Sequence, residues 1–277
     1  MKIGFHVPIA KGFDWTLKEA KRLGCDVVQV FLKNPRSWEK KVWKDDEKEA
    51  FRRLQREIPV MGHLSYLPNL ARIDEDERNL NGFLHEAELC RDLGLDSLVV
   101  HPGSRIERQT GIEMIAKAVN HVLERYDIKL FLENSSGQGA SIGRDVREIV
   151  SIYEKIGRKE NVFVCIDTAH LFQSGCNIRS KKVWIAFVRS LEKGLAQDRI
   201  GFFHLNDSKT RAGSHVDRHW HIGCGEIGIK FFRSLINDKQ FAHLGGVMET
   251  PKMGKLDEEN MQTMRSLLSP LVSRSFS

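Results

Sequence analysis

The sequence predicts a single (β/α)8 barrel, and three observations support that fold class. Short apolar runs alternate with helix-like segments along all 277 residues, with eight of each. The apolar runs lack strict alternation, as expected of parallel strands that are covered on both faces. The length suits one barrel, and no linker or internal repeat divides the chain. We therefore expect one α/β domain over residues 1–277, with its active site at the C-terminal ends of the strands.

The eight predicted strands are short and rich in valine, isoleucine, leucine or phenylalanine. In chain order they are Lys2–Val7, Val27–Leu32, Pro59–Leu64, Ser97–His101, Lys129–Glu133, Val162–Asp167, Ile200–Leu205 and Gly246–Glu249. They are far shorter than the roughly 18 apolar residues that a membrane span requires. The chain begins with a strand-like run rather than an apolar signal core, so we expect no export and a cytoplasmic location.

Each predicted strand is followed by a segment with apolar residues at helical spacing. The first segment, Trp15–Leu23, ends at Gly24, a residue type that commonly terminates helices. The others are Asp46–Glu57, Glu77–Leu93, Glu113–Arg125, Gly143–Ile156, Lys182–Gly194, Ile229–Asn237 and Glu258–Leu268. The serine-rich end, Ser269–Ser277, is expected to be a loose tail.

An open doubly wound sheet with eight strands is the alternative fold. Such a sheet would normally place a glycine-rich phosphate loop directly after an early strand. The one G-x-G-x-x-G motif, Gly223–Gly228, comes late in the chain and follows a long polar loop. We interpret its glycines as a turn before a helix, which leaves the closed barrel as the favoured fold.

The composition indicates an ordinary globular protein with a mild excess of positive charge. Lysine and arginine number 43 against 37 acidic residues, and the resulting balance of +6 is a weak indication of a polyanionic partner. The five cysteines are scattered and form no C-x-x-C pair. This pattern disfavours a disulfide framework or a cysteine-based zinc module and fits a reducing compartment.

Imidazole or carboxylate side chains lie at the ends of six successive predicted strands. They are His63, His101, Glu133, Asp167, His204 and Glu249. A single such residue is usually a hydrogen-bonded structural group or a helix cap. Six that converge on one rim would bury several like charges together, at a high cost unless metal cations remove the repulsion. Imidazole plus carboxylate is the ligand mix of zinc and its neighbours.

Two local pairs enlarge this set of donors. His170 follows Asp167 by three residues, and His219 follows Asp217 by two, a spacing that directs both side chains to one side of an extended loop. The resulting five histidines and four carboxylates exceed what one or two metals need when an open position must remain. We therefore expect three metals, each with three or four protein ligands and with a shared carboxylate.

Seven segments resemble the endonuclease IV family, the apurinic/apyrimidinic (AP) endonucleases of DNA base-excision repair, also called deoxyribonuclease IV. The segments are His63–Tyr66 with Asn69-Leu70, His101–Ser104, Leu132–Gly139, Asp167–His170, His204–Lys209, Val216–His219 with Ile222-Gly223, and Glu249–Pro251. They span nearly the whole chain in order and with barrel spacing. The resemblance implies a TIM barrel with three zinc ions that hydrolyses the phosphodiester 5′ to an abasic site in duplex DNA. The products would be a 3′-hydroxyl and a 5′-deoxyribose phosphate, and the same site would clean 3′ ends.

The resemblance also implies roles for individual side chains. One zinc would be held by His63, His101 and Glu133, a second by Glu133 as bridge with Asp167, His204 and Glu249, and the third by His170, Asp217 and His219. Glu133 and Glu249 would be catalytic. Manganese or iron could replace zinc at one or more positions. The family most often has cysteine where this sequence has Ala169, a position that is not a ligand. Coordination lowers the pKa of water toward about 7, which supplies the nucleophile for hydrolysis.

Four residues outside the ligand set are expected to bind DNA. The loop Lys33–Trp38 resembles the DNA-penetrating loop of the family, with Arg36 as the inserted side chain, and Tyr66 matches the aromatic residue that stacks in the gap. Lys209 and Arg218 lie beside predicted ligands and suit phosphate contacts, although a plain surface role fits them equally well. We expect a monomer, because a barrel needs no partner to close and DNA must reach the rim.

Several other polar residues near the motifs are expected to shape the groove or support the ligands. They are His6, Trp38, Asn69, Gln138 and Asn206. His215 and His221 flank the Asp217–His219 pair and could compete as ligands, but the register of the family motif argues against them.

Two alternatives to this function remain open at the level of sequence. Xylose-isomerase-like sugar or sugar-phosphate isomerases and epimerases also place Glu, Asp and His at barrel strand ends, but they need one or two metals and would not require His170, Asp217 and His219. A non-catalytic protein that binds damaged DNA would carry a degenerate site, which the intact set of nine residues disfavours.

Overall fold

The structure is a computed structural model, and it describes residues 1–196, 198–251 and 255–269. Strands and helices alternate along this part of the chain. The strands are β1 (Lys2–His6), β2 (Val27–Phe31), β3 (Val60–His63), β4 (Ser97–Val100), β5 (Lys129–Glu133), β6 (Val162–Asp167), β7 (Ile200–His204), β8 (Asp207–Ser208), β9 (His219–Trp220) and β10 (Gly245–Met248). The α-helices are α1 (Phe13–Leu23), α2 (Asp45–Glu57), α3 (Glu77–Leu93), α4 (Arg108–Leu123), α5 (Val146–Glu154), α6 (Thr168–Gln173), α7 (Lys181–Leu195), α8 (Ile229–Ile236) and α9 (Leu256–Ser266).

Eight parallel strands close into a barrel. Strands β1 to β7 are neighbours in chain order, and β10 closes the circle between β7 and β1. The predicted (β/α)8 fold is therefore confirmed, and each predicted strand agrees with a barrel strand to within one residue at either end. The prediction of one domain over residues 1–277 includes the tail, and residues 270–277 lie outside the described part of the chain.

Two elements were not expected from the sequence. Helix α6 begins directly after β6, and β8 pairs with β9 as an antiparallel hairpin above the barrel. The helix starts at α4 and α5 also differ from the prediction. Helix α4 begins at Arg108, five residues before the expected start, and α5 begins at Val146 rather than Gly143. The side chain of Asp145 accepts a hydrogen bond from the backbone N–H of Arg147, which fixes the later start of α5.

The barrel interior has an apolar floor beneath its upper rim. A cluster of buried side chains from seven strands fills this interior: Val27, Met61, Val99, Phe131, Cys165, Phe202 and Val247. A larger apolar core packs the outer faces of the strands against the helices. The floor closes the lower end of the barrel, so polar side chains at the carboxyl ends of the strands face only the rim. The helices in the described ranges are too short or too polar to cross a lipid bilayer.

Candidate metal centre

All nine predicted ligands lie at one rim of the barrel. His63, Glu133, Asp167 and His204 are the last residues of β3, β5, β6 and β7. His101 and Glu249 each follow the end of their strand, β4 and β10, by one residue. His170 lies in α6, Asp217 lies in the hairpin loop and His219 begins β9. The parallel strands all end at this rim, which brings donors from six strands together.

Glu133 is fully buried and lies among four imidazoles. Its Oε2 is 3.3 Å from His63 Nε2 and 3.5 Å from His101 Nε2. Its Oε1 is 3.0 Å from His204 Nδ1 and 3.1 Å from His170 Nδ1. The two oxygens therefore face two separate groups of histidines, an arrangement that suits a carboxylate shared between metals.

A second group of donors surrounds His204. Its Nδ1 is 3.3 Å from Glu249 Oε2 and 3.8 Å from Asp167 Oδ2. One potential ligand atom from each of Glu133, Asp167, His204 and Glu249 lies within 4.8 Å of the others. These four residues are the set that the resemblance assigns to the second metal.

The third group joins the α6 helix to the hairpin. His170 Nε2 is 3.2 Å from Asp217 Oδ1, and His219 Nε2 is 3.7 Å from the same oxygen. Asp167 Oδ2 is 3.3 Å from His219 Nε2, so Asp167 contacts this group as well as the second. The resemblance placed Asp167 only in the second group, and the structure adds this contact.

The local fold places His170 in that group. Asp167 ends β6, and its Oδ1 accepts the backbone N–H of His170 at 2.7 Å, which caps the first turn of α6. Asn206 Nδ2 donates to the other oxygen of Asp167 at 2.7 Å, and Asn206 Oδ1 accepts the backbone N–H of Glu249 at 2.7 Å. Asn206 therefore supports two ligands, as expected.

The charges of the site are balanced by imidazoles. Burial disfavours the ionised form of Glu133, but His101 and His204 outweigh it and hold the pKa of this carboxyl well below its usual range. The pKa of Glu249 is lowered in the same way, by His204 and then His6. Burial lowers the pKa of His170, but the carboxylates of Asp167 and Asp217 outweigh it and raise the pKa well above its usual range. Without metal, the buried carboxylates thus depend on the imidazoliums of His170, His204 and His219. Burial instead lowers the pKa of His101 and His6, which favours their neutral form.

This donor set fits divalent cations of the zinc type. Three overlapping groups of His, Asp and Glu side chains each bring potential ligand atoms within 4.8 Å of one another. Metal ligation requires ionised carboxylates and neutral imidazoles, so metals would replace the protons that the imidazoles carry in the metal-free site. His63 belongs to one of these groups, with Glu133 and His204. His101 and Asp217 lie outside them and contact them through Glu133 and His170.

The two flanking histidines have partners outside these groups. His215 Nδ1 is 3.2 Å from the carbonyl oxygen of Ser136, and His221 Nδ1 is 3.0 Å from Asn260 Nδ2. The preference for His219 over both is therefore consistent with the geometry.

The other supporting residues differ in where they act. Gln138 Oε1 accepts the backbone N–H of Asp217 at 2.8 Å, and His6 Nδ1 donates to Glu249 Oε1 at 3.0 Å. Asn69 instead caps a short 3-10 turn and donates to the carbonyl of Ser104, so it orders two rim loops without contacting a ligand.

The predicted DNA-binding residues lie on rim loops. Arg36 is exposed, and the backbone N–H of Tyr66 donates to the carbonyl of Pro35 beside it at 3.1 Å. The ring of Tyr66 packs edge-on against Phe31 with centroids 5.0 Å apart, yet 56% of the residue is exposed. Partial desolvation at the rim, and then the nearby carboxylates of Glu249 and Glu133, raise the pKa of Tyr66 to about 12, so the residue is neutral at physiological pH.

Lys209 and Arg218 lie on opposite sides of the β8–β9 hairpin. The backbone N–H of Lys209 donates to the carbonyl of Arg218 at 3.0 Å. Lys209 Nζ lies 4.3 Å from the ring centroid of Trp220, a cation–π contact that holds the side chain. Trp38 packs under the guanidinium of Arg78 at 5.4 Å, which leaves its expected role in the groove a prediction.

Sequence analysis missed two buried polar residues. Gln29 lies in the middle of β2 and is fully buried, and Asp207 is a fully buried carboxylate in the hairpin. An amide inside an apolar strand is a recognisable signal, because a buried polar group must find partners. Asp207 accepts backbone N–H groups from the Gly223–Gly228 segment, which confirms that these glycines form a turn before helix α8.

The chain is similar to known proteins over nearly its whole length. Residues 17–269 match the family model described as xylose isomerase-like TIM barrel. A curated relative, the probable endonuclease 4 of Persephonella marina, is 36% identical over 97% of this chain and 97% of its own. The crystal structure of endonuclease IV from Thermus thermophilus superposes with a TM-score of 0.85 at 30% identity, covering 96% of this chain and 98% of that one.

A D-tagatose 3-epimerase-like protein superposes with a TM-score of 0.72 and covers both chains completely, but at 17% identity it shares the fold alone. The likeness to endonuclease 4 proteins, in contrast, extends through the sequence of nearly the whole chain. The chain belongs to the endonuclease IV family of the xylose isomerase-like TIM barrels.

Proposed function

We propose that this protein is a metal-dependent AP endonuclease. It hydrolyses the phosphodiester 5′ to an abasic site in duplex DNA and leaves a 3′-hydroxyl and a 5′-deoxyribose phosphate. The observation that carries the proposal is the convergence of nine His, Asp and Glu side chains, with Glu133 among four of the imidazoles, next to a rim with exposed cationic and aromatic side chains. Membership of the endonuclease IV family supports the same reaction.

The residues of the three donor groups would hold about three zinc ions, with manganese or iron as replacements at individual positions. Divalent ions bound there would lower the pKa of water toward about 7 and neutralise charge on the phosphate. The third group supports this count, because Asp217 and His219 contact His170 in an arrangement that a one- or two-metal sugar isomerase does not require.

Of the two carboxylates expected to be catalytic, Glu249 is the one that substrate can reach. Its side chain is 18% exposed, whereas that of Glu133 is 1% exposed. Its lowered pKa keeps it ionised at neutral pH, so its carboxylate can accept a proton from the water that attacks phosphorus. Glu133, closed off from solvent, orients the imidazoles on both sides of it.

Arg36 and Tyr66 are proposed to recognise the missing base. The exposed ring of Tyr66 offers a stacking surface for the gap, and the Arg36 guanidinium lies on the adjacent loop. Lys209 and Arg218 on the hairpin are proposed to contact phosphates, since both are exposed beside the third donor group. We propose a monomer that acts on DNA in the cytoplasm.

The decisive test is incision of a duplex that carries a synthetic abasic site. We expect the metal-loaded protein to cut it and chelation to stop the reaction. Glu249→Gln should abolish incision and leave DNA binding largely intact, because the amide keeps the shape but cannot accept the proton. Glu88→Gln, an exposed position on α3, is the matched control and should incise normally. Undiminished turnover by Glu249→Gln would remove Glu249 from the mechanism.

Two further measurements separate this function from its rival. Elemental analysis of metal-replete protein should find about three ions per chain, and one ion or fewer would overturn the trinuclear site. Sugar isomerisation should be absent under the conditions that give incision. Isomerisation without incision would favour the isomerase alternative.

A further inference from the structure

Gln29 is a buried amide inside the barrel with no role assigned so far. It lies in the middle of β2, in register with His6 on β1 and Met61 on β3, and it has no exposed surface. Its strand neighbours Val28 and Val30 are also fully buried. Burial of an amide without partners is costly, so its hydrogen bonds show why it is tolerated here.

The two ends of this amide contact two different metal-site residues. Gln29 Oε1 is 2.9 Å from His204 Nε2, and Gln29 Nε2 is 2.8 Å from Glu249 Oε1. His6 Nδ1 lies 3.0 Å from the same oxygen of Glu249. Gln29 thus joins one imidazole and one carboxylate across the barrel.

Chemistry determines the orientation of the amide. An ionised carboxylate only accepts hydrogen bonds, so the amide NH₂ must face Glu249. The carbonyl oxygen then faces His204 and can only accept, so Nε2 of His204 must carry a proton. A reversed amide would place two acceptors in contact at Glu249.

This orientation directs the other atoms of both ligands inward. With Nε2 of His204 engaged by Gln29, the nitrogen that faces Glu133 Oε1, at 3.0 Å, is Nδ1, and a metal would replace the proton it carries there. With Oε1 of Glu249 occupied by Gln29 and His6, Oε2 remains free to face Nδ1 of His204 at 3.3 Å. These two atoms face each other, and Nδ1 also faces the carboxylates of Glu133 and Asp167 in the second donor group.

We propose that Gln29 is a positioning residue for the metal held by His204 and Glu249, because its amide sets the tautomer of the imidazole and the orientation of the carboxylate. This inference rests on the proposed function, since it concerns the same metal centre. Loss of a group that orients metal ligands typically lowers metal affinity by about 10–100-fold. The other metals, whose ligands Gln29 does not contact, should keep their affinity.

The test is titration of the metal-free full-length protein with Co²⁺, followed by its visible absorption, which reports coordination geometry. Gln29→Met preserves volume and removes both hydrogen bonds. We expect the affinity for one of the bound ions to fall about 10–100-fold and its absorption bands to change. Gln29→Glu keeps the acceptor for His204 but places an oxygen against Glu249, and we expect it to lower the affinity for the same ion. Met61→Leu changes the neighbouring barrel interior without a polar contact and should bind like the wild type.

The outcomes separate the inference from the proposed function. Wild-type protein that binds no more than one Co²⁺ would overturn the proposed trinuclear site and this inference with it. If the wild type binds three ions and Gln29→Met binds them with the same affinities and spectrum, only the inference is overturned. If Gln29→Met lowers the affinity for every ion equally, and Met61→Leu does the same, the cause is a general packing effect and the inference is overturned as well. Should Gln29→Met fail to fold, the nearly isosteric Gln29→Glu decides the question.

Discussion

The buried carboxylate of Asp207 is expected to order the hairpin loop that carries Asp217 and His219. Its Oδ1 accepts the backbone N–H groups of Ser208 at 2.8 Å and Ile227 at 3.0 Å. Its Oδ2 accepts those of Gly223 at 2.9 Å and Gly225 at 3.2 Å. The carboxylate therefore joins both ends of the segment that runs from β8 to the start of α8.

Replacement of Asp207 by asparagine should destabilise the protein measurably. The amide nitrogen must take the place of one oxygen, and whichever it replaces, two backbone N–H groups lose their acceptor. Hydrogen bonds to charged groups contribute at least about 1.5 kcal/mol each, so the loss is about 3 kcal/mol. For a protein of this size each kcal/mol shifts Tm by about 2–4 °C, and the expected decrease is about 6–12 °C.

Thermal unfolding of the metal-free protein, followed by circular dichroism, measures this effect without contributions from metal binding. Asp14→Asn is the matched control, because Asp14 is exposed and pairs with Arg53 on the surface. We expect that control to leave Tm essentially unchanged. A decrease for Asp207→Asn no larger than that of the control would refute the reasoning that this carboxylate orders the loop.

Two further predictions concern recognition and pH. Arg36→Ala and Tyr66→Ala should each lower the ratio of the affinity for abasic duplex to the affinity for intact duplex. Arg52→Ala, on the outer face of α2, is the control and should leave this ratio unchanged. Binding titrations in which the Arg36 and Tyr66 variants keep the wild-type ratio would contradict the proposed roles. Burial disfavours the imidazolium of His219, but Asp167 outweighs it and raises the pKa to about 9. The pKa of His219 in the folded protein thus exceeds its pKa of about 6.5 in the unfolded chain. Protonated His219 therefore stabilises the fold fully below about pH 6.5, and this stabilisation is lost as the pH rises through about 9. Tm of the metal-free protein should therefore fall between pH 7 and 10, and a flat profile would count against this charge assignment.

Most of the fold could be predicted because each barrel strand is a short apolar run followed by an amphipathic helix. Helix α6 escaped prediction for a physical reason: Thr168–Gln173 is buried on every side, so it shows no polar face. The β8–β9 hairpin has only two residues per strand, too few for any periodicity. The start of α4 was placed late because its first turn is polar and contains Gly111.

The candidate site was predictable as a set of residues but not as a set of contacts. His63, Glu133, Asp167 and His204 close their strands, and the position of a strand end can be read from the apolar run before it. The shared contact of Asp167 with His219 follows from the path of the hairpin, which the polar loop sequence does not reveal.

By itself, the sequence determined the number and order of the barrel strands and the donor residues at their ends. It could do so because parallel strands joined by helices all end at one rim. Only the tertiary structure decided which atoms meet there. Gln29 reaches His204 and Glu249 from positions 175 and 220 residues away, contacts that exist because β10 closes the circle next to β1. Which of His215, His219 and His221 joins the donor groups likewise depends on how the loop packs. His219 contacts Asp167, whereas His215 contacts the carbonyl of Ser136 and His221 contacts Asn260.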